Sequence, residues 1–254
     1  MIRKRIALIT GATSGIGEAT ARLLAAHPFK LILCGRRNDR LVQLQQELTG
    51  LTKCTTLSFN VRDKEAVKKA CRSLGEEWKK IDVLINNAGN AHGFDPIQSG
   101  DVDDWDAMID INVKGLLYVS REILPGMVER KSGHIINLGS IAGKEVYAGG
   151  NVYCASKFAV DALSQGMRLD LNAHGIKVTA IHPGLVQTEF SLVRFKGDDP
   201  RARSVYKGMQ PLSGADIADL ILFALTRPAH VMIADLIVFP TAQASATVVK
   251  RQES

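Results

Sequence analysis

The chain has 254 residues, of which 46% are hydrophobic and 23% are charged. This length suits one large α/β domain, and the composition is that of a globular protein rather than a disordered or membrane-embedded one. Lysine and arginine outnumber aspartate and glutamate by 32 to 26, but the excess is spread along the chain. Without a basic stripe or interleaved aromatic residues, we expect a solvated basic surface and no nucleic-acid partner.

The four cysteines stand far apart, at positions 34, 54, 71 and 154, and no two of them form a CxxC pair. This spacing indicates neither a zinc site nor a disulfide framework, so we expect no metal. The apolar run at residues 6–9 is too short for a signal peptide and leads directly into a glycine-rich turn. We therefore expect a cytoplasmic protein that has no membrane partner.

Short β-branched apolar runs alternate with longer stretches of helical spacing along the whole chain. The predicted strands are residues 6–9, 31–34, 55–59, 83–85, 134–138, 177–181 and 236–239. The predicted helices are residues 17–24, 39–48, 64–78, 105–129, 152–173 and 215–225. This alternation predicts the fold class: an α/β, single-domain Rossmann fold, with a doubly wound parallel sheet of about seven strands and helices on both faces.

No proline-rich or serine-rich linker divides the chain, so residues 1–254 are predicted to form one domain. The irregular stretch at residues 184–213 is long for a loop in a compact domain. Loops of that length commonly serve as lids or binding loops. We expect a lid at about residues 185–213 and a C-terminal tail at about residues 240–254.

A glycine-rich turn lies between the first predicted strand and the first predicted helix. Gly11 permits a tight turn, Gly15 lets the backbone approach a pyrophosphate, and Gly17 lets the helix pack near the strand. The N–H groups and the positive dipole end of the helix favour phosphate at the same place. The turn therefore predicts a dinucleotide site. Further contacts are expected from Thr13, Ser14 and Ile16.

The second predicted strand ends at Gly35, and Arg36 and Arg37 follow it. An NAD enzyme usually places a carboxylate here, against the 2′-hydroxyl of the adenosine ribose. Glycine offers no carboxylate, whereas guanidinium groups match a 2′-phosphate in charge and in geometry. The sequence therefore predicts NADP as the cofactor. For Arg37, a surface position without a ligand is an equal alternative.

Four polar residues follow the glycine-rich turn in the order Asn112, Ser140, Tyr153 and Lys157. Tyr153 and Lys157 are four positions apart in a predicted helix, so their side chains share one face. Hydride loss from a carbinol carbon requires loss of the hydroxyl proton, and a free tyrosine, with a pKa of about 10, is too weakly ionised to accept it. A nearby ammonium and the positive nicotinamide favour the phenolate. The ordered set therefore indicates an active site.

These residues resemble the short-chain dehydrogenase/reductase family across nearly the whole chain. The resemblance implies that Tyr153 is the acid/base, Lys157 its partner, Ser140 the substrate anchor and Asn112 the holder of a water relay. It also implies a homotetramer. The cofactor contacts that it implies, beside Tyr153 and Lys157, are Asn60, Val61, Asn87, Ala88, Gly89, Pro183, Gly184, Val186 and Thr188.

The segment after Thr188 and the C-terminal segment resemble those of a subgroup, the NADP-dependent 3-hydroxy acid dehydrogenases. That resemblance implies a small 3-hydroxy acid substrate of the serine, allo-threonine or 3-hydroxypropionate type, held by Ser140 and Tyr153. Arg194 or another lid cation is a candidate for binding its carboxylate. Cations in the lid suit a carboxylate, although a solvated basic loop is an equal interpretation. These cations are Arg194, Lys196, Arg201, Arg203 and Lys207.

Two other functions stay open at this point. A reductase of uncharged ketones, aldehydes or quinones shares the same site but does not depend on a carboxylate. A non-catalytic NADP-binding regulator typically lacks the tyrosine or the lysine, and both are present here. His182, beside Pro183 and Gly184, is expected to be structural, because a single histidine in such a turn is more often packed than catalytic.

Overall fold

The computed structural model describes residues 3–252, so the predicted domain extends two residues beyond it at each end. Seven strands form one parallel sheet in the spatial order β3-β2-β1-β4-β5-β6-β7. The order reverses between β1 and β4, where the carboxyl ends of the strands open a crevice. The predicted doubly wound α/β fold is confirmed. The strands are β1 (Arg5–Thr10), β2 (Phe29–Gly35), β3 (Cys54–Ser58), β4 (Val83–Asn86), β5 (Gly133–Leu138), β6 (Ile176–Pro183) and β7 (Asp235–Val238).

Helices cover both faces of this sheet. The α-helices are α1 (Gly15–Ala25), α2 (Asn38–Leu48), α3 (Lys64–Arg72), α4 (Val102–Ile109), α5 (Leu116–Glu129), α6 (Asn151–Leu171), α7 (Phe190–Arg194), α8 (Asp199–Ser204) and α9 (Gly214–Leu225). Helices α1, α2 and α9 pack on one face, while α3, α5 and α6 pack on the other. Each face therefore has its own hydrophobic core.

Strand β1 supplies both cores in alternation. Ile6 and Leu8 belong to the core under α3, α5 and α6, whereas Ala7 and Ile9 belong to the core under α1, α2 and α9. All four side chains are buried. Because a strand that is covered on both faces has no polar side, its sequence is a continuous apolar run.

Two of the predicted helices are interrupted in the structure. The helix predicted at residues 64–78 is α3 followed by a separate 3-10 turn at Glu76–Trp78, because Gly75 between them is extended. The helix predicted at residues 105–129 is α4 and α5 joined by a π-helical turn at Asp110–Gly115. Hydrophobic periodicity does not detect such a turn, since the chain stays helical through it.

The predicted irregular stretch contains two short helices, α7 and α8. The side chain of Asp198 accepts a hydrogen bond from the backbone N–H of Arg201, and Pro200 stands in the first turn of α8. Helices of five and six residues are shorter than the window in which apolar periodicity is readable, so the sequence indicated only an irregular stretch here.

His134 on β5 gives the fold a predictable dependence on pH. Its side chain is 3% exposed, and Nε2 lies 2.8 Å from Thr179 Oγ1 on β6. Burial lowers the pKa of His134 from 6.5 to about 3. Between these two pH values the unfolded chain binds a proton at this histidine and the folded protein does not, so stability falls as the pH falls.

We expect His134→Gln to make the free energy of unfolding less dependent on pH between 6 and 4.5, because the variant loses a contribution of up to about 1.4 kcal/mol per pH unit. Urea titrations at several pH values measure this slope. His230→Gln, at an exposed histidine, is the control and keeps the wild-type slope. An unchanged slope in His134→Gln contradicts the prediction.

Candidate active site

The glycine-rich turn joins β1 to α1 with two residues in the left-handed region, Gly11 at φ +66° and Gly15 at φ +55°. At Gly17 a Cβ atom would lie 2.4 Å from the backbone oxygen of Gly11, so only glycine lets α1 begin this close to the strand. The residue before the helix, Ser14, is extended and its side chain makes no cap hydrogen bond. The first N–H groups of α1 are therefore available to a phosphate.

Asn87 holds this turn against the end of β4. Its Nδ2 donates to the backbone oxygens of Thr10 at 2.9 Å and Gly11 at 3.2 Å. The Thr10 hydroxyl in turn accepts from the backbone N–H groups of Asn87 and Ala88. These bonds fix the two strands on either side of the topological switch point, where the crevice opens.

A cavity of about 920 Å³ runs along the carboxyl ends of the strands. It brings together the predicted catalytic residues Ser140, Tyr153 and Lys157 with Arg194. Gly17 and Asn112 do not line it but stand behind its wall. The predicted cofactor contacts that line it are Gly11, Thr13, Ser14, Gly15, Ile16, Arg36, Arg37, Asn60, Val61, Asn87, Ala88, Gly89, Tyr153, Lys157, Pro183, Gly184, Val186 and Thr188.

Tyr153 and Lys157 lie on the same face of α6, as their spacing predicted, and both side chains are buried. The ammonium nitrogen of Lys157 donates to the backbone oxygen of Leu138 at 2.8 Å and lies 6.0 Å from the centroid of the Tyr153 ring. Ser140 Oγ accepts from the backbone N–H of Ala142 at 3.1 Å. Ser140 therefore caps the turn after β5 and also faces the cavity.

Burial controls the protonation of this pair. It raises the pKa of Tyr153, and the smaller effects of the Ser140 hydroxyl and the Arg194 charge oppose it. Burial lowers the pKa of Lys157 to about 8. The sequence led us to expect that the ammonium lowers the pKa of the phenol, but at 6.0 Å from the ring it does not offset desolvation. Burial therefore favours the neutral phenol form of Tyr153.

Asn112 sits in the π-helical turn between α4 and α5 and is 2% exposed. Its Nδ2 donates to the backbone oxygen of Asn90 at 2.8 Å and to Ser156 Oγ at 2.9 Å. Its Oδ1 accepts from the backbone N–H of Asn90 at 2.9 Å. Both amide hydrogens are thus engaged, and the side chain ties the segment after β4 to α6. Such a turn often marks a functional site.

The two arginines after β2 have different surroundings. Arg36 is exposed and lines the cavity. Arg37 donates through Nη1 to Glu189 Oε2 at 2.8 Å and through Nε to Thr13 Oγ1 at 3.3 Å. Arg40, which the sequence did not single out, donates to Glu189 Oε1 at 2.6 Å. No local sequence pattern predicts this contact, because Glu189 lies about 150 positions away.

Arg194 on α7 lies at the tyrosine end of the cavity. Its guanidinium stands 4.7 Å from the ring centroid of Phe94, 5.5 Å from that of Tyr147 and 5.6 Å from that of Tyr153. Nη1 donates to the Tyr147 hydroxyl at 2.9 Å, and Nε donates to the backbone oxygen of Gly93 at 3.1 Å. Nη2 is buried and has no hydrogen-bond partner among residues 3–252. Sequence reasoning identified the arginine but missed its aromatic neighbours.

The other lid cations are largely engaged elsewhere. Lys196 pairs with Asp101 at 3.2 Å and with Asp104 at 3.0 Å, and Arg203 pairs with Asp199 at 2.6 Å. Arg201 stacks on Phe195, with its guanidinium 4.4 Å from the ring centroid. The interpretation of the lid as a basic surface therefore holds for Lys196 and Arg203 but not for Arg194.

The C-terminal tail packs on the lid of its own chain. Gln243 is buried, and its Oε1 accepts from the backbone N–H of Leu185 at 2.8 Å. Arg251 Nη2 donates to the backbone oxygen of Val205 at 3.0 Å, just after α8. The tail thereby forms part of the cavity wall. Residues 253 and 254 of the predicted tail lie outside the described residues.

His182 is fully buried behind Ser140, in a cluster of charged residues that the sequence did not reveal. Its Nδ1 lies 3.3 Å from the backbone oxygen of Ser140, and its Nε2 lies 2.7 Å from Asp235 Oδ1. Lys144 Nζ bridges Asp161 and Asp235 at 2.9 Å to each. The two carboxylates and the imidazole have the positions of metal ligands, but the ammonium already supplies a cation between the carboxylates. The packing agrees with the structural role expected for His182.

Comparison with known proteins identifies the family. A family model for short chain dehydrogenases matches residues 5–198. This chain belongs to the short-chain dehydrogenase family. It is an oxidoreductase that acts on a CH–OH group. Among residues 3–252, no helix has both the length and the apolar character that crossing a membrane demands.

Relatives within the family cover nearly the whole chain. The NADP-dependent 3-hydroxy acid dehydrogenase YdfG of Escherichia coli strain K12 is 46% identical over 242 residues, which are 95% of this chain and 97% of that protein. Sulfoacetaldehyde reductase 2 of Chromohalobacter salexigens is 44% identical over 94% of this chain and 95% of its own length. The closed form of serine dehydrogenase complexed with NADP+ matches with a TM-score of 0.91 and 45% identity, over 98% of this chain and 100% of that structure.

We expect Asn112→Ala to lower the free energy of unfolding by about 2–3 kcal/mol, because the buried N–H and carbonyl groups of Asn90 lose their partners. Chemical denaturation of the apoprotein measures the change. Asn172→Ala, at an exposed asparagine, serves as the control and shifts stability by less than about 0.5 kcal/mol. Equal stabilities of the Asn112 and Asn172 variants would show that the network does not hold the wall of the site.

Proposed function

We propose that this chain is an NADP-dependent dehydrogenase of small 3-hydroxy acids. The observation that carries the proposal is the position of Arg194, which lines the cavity beside the ring of Tyr153 and whose Nη2 has no hydrogen-bond partner among residues 3–252. A guanidinium among aromatic rings binds a carboxylate strongly, because little water competes for it. The arginine therefore supplies the anion site that a hydroxy acid needs next to the reacting carbon.

The cofactor is NADP, and the residues present fit it. The turn at Gly11 and Gly15 offers backbone N–H groups to the pyrophosphate, and the exposed Arg36 stands where the 2′-phosphate is expected. No carboxylate follows β2 to accept the 2′-hydroxyl of NAD, since Gly35 occupies that position. NADP supplies the hydride acceptor for oxidation and the hydride donor for reduction.

In this proposal Tyr153 transfers the proton at the hydroxyl of the substrate. As a neutral phenol it donates a proton to a carbonyl oxygen during reduction, and it must be ionised to accept one during oxidation. Ser140 Oγ holds the substrate oxygen while its charge changes. Lys157 alone, 6.0 Å from the Tyr153 ring, does not offset desolvation, so it would favour the phenolate together with the positive nicotinamide, whose ribose it would hold. Asn112 stays the proposed holder of a water relay, and its side chain supports the wall of the site through Asn90 and Ser156.

The names of the relatives support an anionic substrate. The Escherichia coli relative is named for 3-hydroxy acids, which carry a carboxylate, and the Chromohalobacter relative is named for sulfoacetaldehyde, which carries a sulfonate. Both groups are anions. An uncharged ketone, aldehyde or quinone leaves Arg194 Nη2 without a partner, which carries a cost for a buried polar group. A non-catalytic regulator needs no phenol and ammonium arranged as Tyr153 and Lys157 are.

The homotetramer implied by the family stays a prediction. Helix α6 carries two exposed apolar side chains, Phe158 at 40% and Leu169 at 82% of full exposure. Exposed apolar residues on one helix favour its burial against another subunit. The cytoplasmic location also stays a prediction.

We expect purified protein to reduce NADP+, and NAD+ more slowly, with L-serine, L-allo-threonine or 3-hydroxypropionate. Matched alcohols without a carboxylate should react poorly, and oxidation should accelerate as the pH rises because Tyr153 must ionise. Absorbance of the reduced cofactor measures the rates. Tyr153→Phe should lose at least about 100-fold in kcat, the usual contribution of a general acid–base group.

The two alternative functions give different results in the same assay. If only uncharged alcohols turn over, the proposal of a 3-hydroxy acid substrate is wrong, and a reductase of uncharged ketones, aldehydes or quinones is favoured instead. Binding of NADP+ without any turnover, and no difference between wild type and Tyr153→Phe, would favour the regulator. Tyr118→Phe is the control, since this residue lies on α5, away from the cavity lining.

A further inference from the structure

Glu189 joins the lid to the nucleotide side of the cavity. It follows Thr188 directly and precedes α7, and its carboxylate reaches two guanidinium groups. Oε2 accepts from Arg37 at 2.8 Å, and Oε1 accepts from Arg40 at 2.6 Å. Each of the three side chains is about two-fifths exposed, so a single pair would contribute little. Two guanidiniums on one carboxylate, however, form a network of charges with a fixed geometry, and such networks contribute more than isolated surface pairs do.

The hydrogen bonds of Arg37 leave little capacity for a further ligand. Nη1 holds Glu189, Nε donates to Thr13 Oγ1 at 3.3 Å, and Nη2 donates to Thr13 Oγ1 and to the Thr13 backbone oxygen, at 3.2 Å each. Every nitrogen of this guanidinium therefore has a partner in the chain. Arg36 makes no side-chain hydrogen bond to any described residue and is exposed at the cavity. The two consecutive arginines are thus suited to different tasks.

Helix α7 connects Glu189 to Arg194, at the substrate end of the site. Its backbone oxygen accepts from the N–H of Val193 at 3.0 Å, which starts the helix that ends at Arg194. Phe190, the next residue, lies against Tyr153 with 5.6 Å between the ring centroids. Because α7 has only five residues, Glu189 and Arg194 stand at opposite ends of one short helix, and we expect a shift of Glu189 to move Arg194.

We propose that Glu189 is a positioning residue that ties the substrate anchor Arg194 to the nucleotide side of the cleft through Arg37 and Arg40, while Arg36 alone recognises the 2′-phosphate. This inference rests on the proposed function for its substrate readout. The carboxylate also places a negative charge on the cavity wall near the nucleotide. Its removal therefore does not weaken NADP binding, although it loosens the substrate site.

The test uses Glu189→Gln, which keeps the size of the side chain and removes its charge. We expect the KM for L-serine to rise about five- to tenfold, equivalent to about 1.0–1.4 kcal/mol. The kcat should stay within about twofold of wild type, since the reacting groups are untouched. The Kd for NADP+, measured by fluorescence of the protein, should be unchanged or lower. Hydrogen–deuterium exchange should become faster in residues 190–194.

Arg37→Met and Arg36→Met separate the two arginines. Arg37→Met should reproduce the rise in KM and the faster exchange, and combination with Glu189→Gln should add little, because both changes break one interaction. Arg36→Met should instead raise the Kd for NADP+ and reduce the preference for NADP+ over NAD+, with wild-type exchange in residues 190–194. Thermal melting confirms that each variant is folded.

Three results would overturn the inference: an unchanged KM with unchanged exchange in Glu189→Gln, a KM that rises together with a weakened Kd for NADP+, or additive effects of the Arg37 and Glu189 substitutions. The exchange and the NADP+ Kd do not require turnover. If wild-type protein fails to oxidise any 3-hydroxy acid, the proposed function fails, yet these two readouts still decide whether Glu189 ties the lid to Arg37.

Discussion

The close approach of the glycine-rich turn to the end of β4 is the constraint on which the site depends. A Cβ atom at Gly17 would lie 2.4 Å from both the Gly11 oxygen and Asn87 Nδ2, so β1, α1 and β4 meet with no spare volume. The Thr10 hydroxyl closes the same junction from the side of the strand. The strand order reverses at this junction, so a crevice opens beyond the carboxyl ends of β1 and β4. The functional side chains that follow the other strands line this crevice.

Burial then determines the chemistry of those side chains. Lys157 is desolvated enough for its pKa to fall to about 8, and desolvation holds Tyr153 as a phenol. These opposite directions follow from one cause, since a low dielectric disfavours whichever form is charged. The guanidinium of Arg194 lies among aromatic rings beside Tyr153, and there we propose that a carboxylate binds. The site combines a neutral proton donor with a fixed cation.

The residues whose common location the sequence predicted are those whose position depends on local spacing or on the parallel sheet. The glycine-rich turn follows a strand and opens a helix, and Tyr153 and Lys157 share a helical face. Parallel strands bring Asn87, Ser140 and Gly184 to one edge regardless of their distance in sequence. These features were predictable because the period of the helix and the direction of the strands fix them.

The features that could not be predicted depend on contacts between distant segments. Glu189 meets Arg37 only because the lid folds back over the nucleotide side, and His182 meets Asp161 and Asp235 only because β6 packs against both α6 and β7. The π-helical turn around Asn112 has no distinct hydrophobic period, so the sequence indicated one continuous helix. Charge patterns along the lid likewise did not reveal that Arg194 is half-buried among aromatic rings and that Lys196 is paired.

Binding of 3-hydroxypropionate to the NADPH-loaded protein tests the central claim most directly, because an alcohol with the reduced cofactor forms a complex that cannot react. Calorimetry should detect binding of 3-hydroxypropionate but not of 1,3-propanediol, which has a hydroxymethyl group in place of the carboxylate. Arg194→Met should abolish this difference while NADPH still binds. Equal affinity of the wild type for the acid and the diol, or an undiminished preference for the acid in Arg194→Met, would contradict the assignment of Arg194 as the carboxylate anchor.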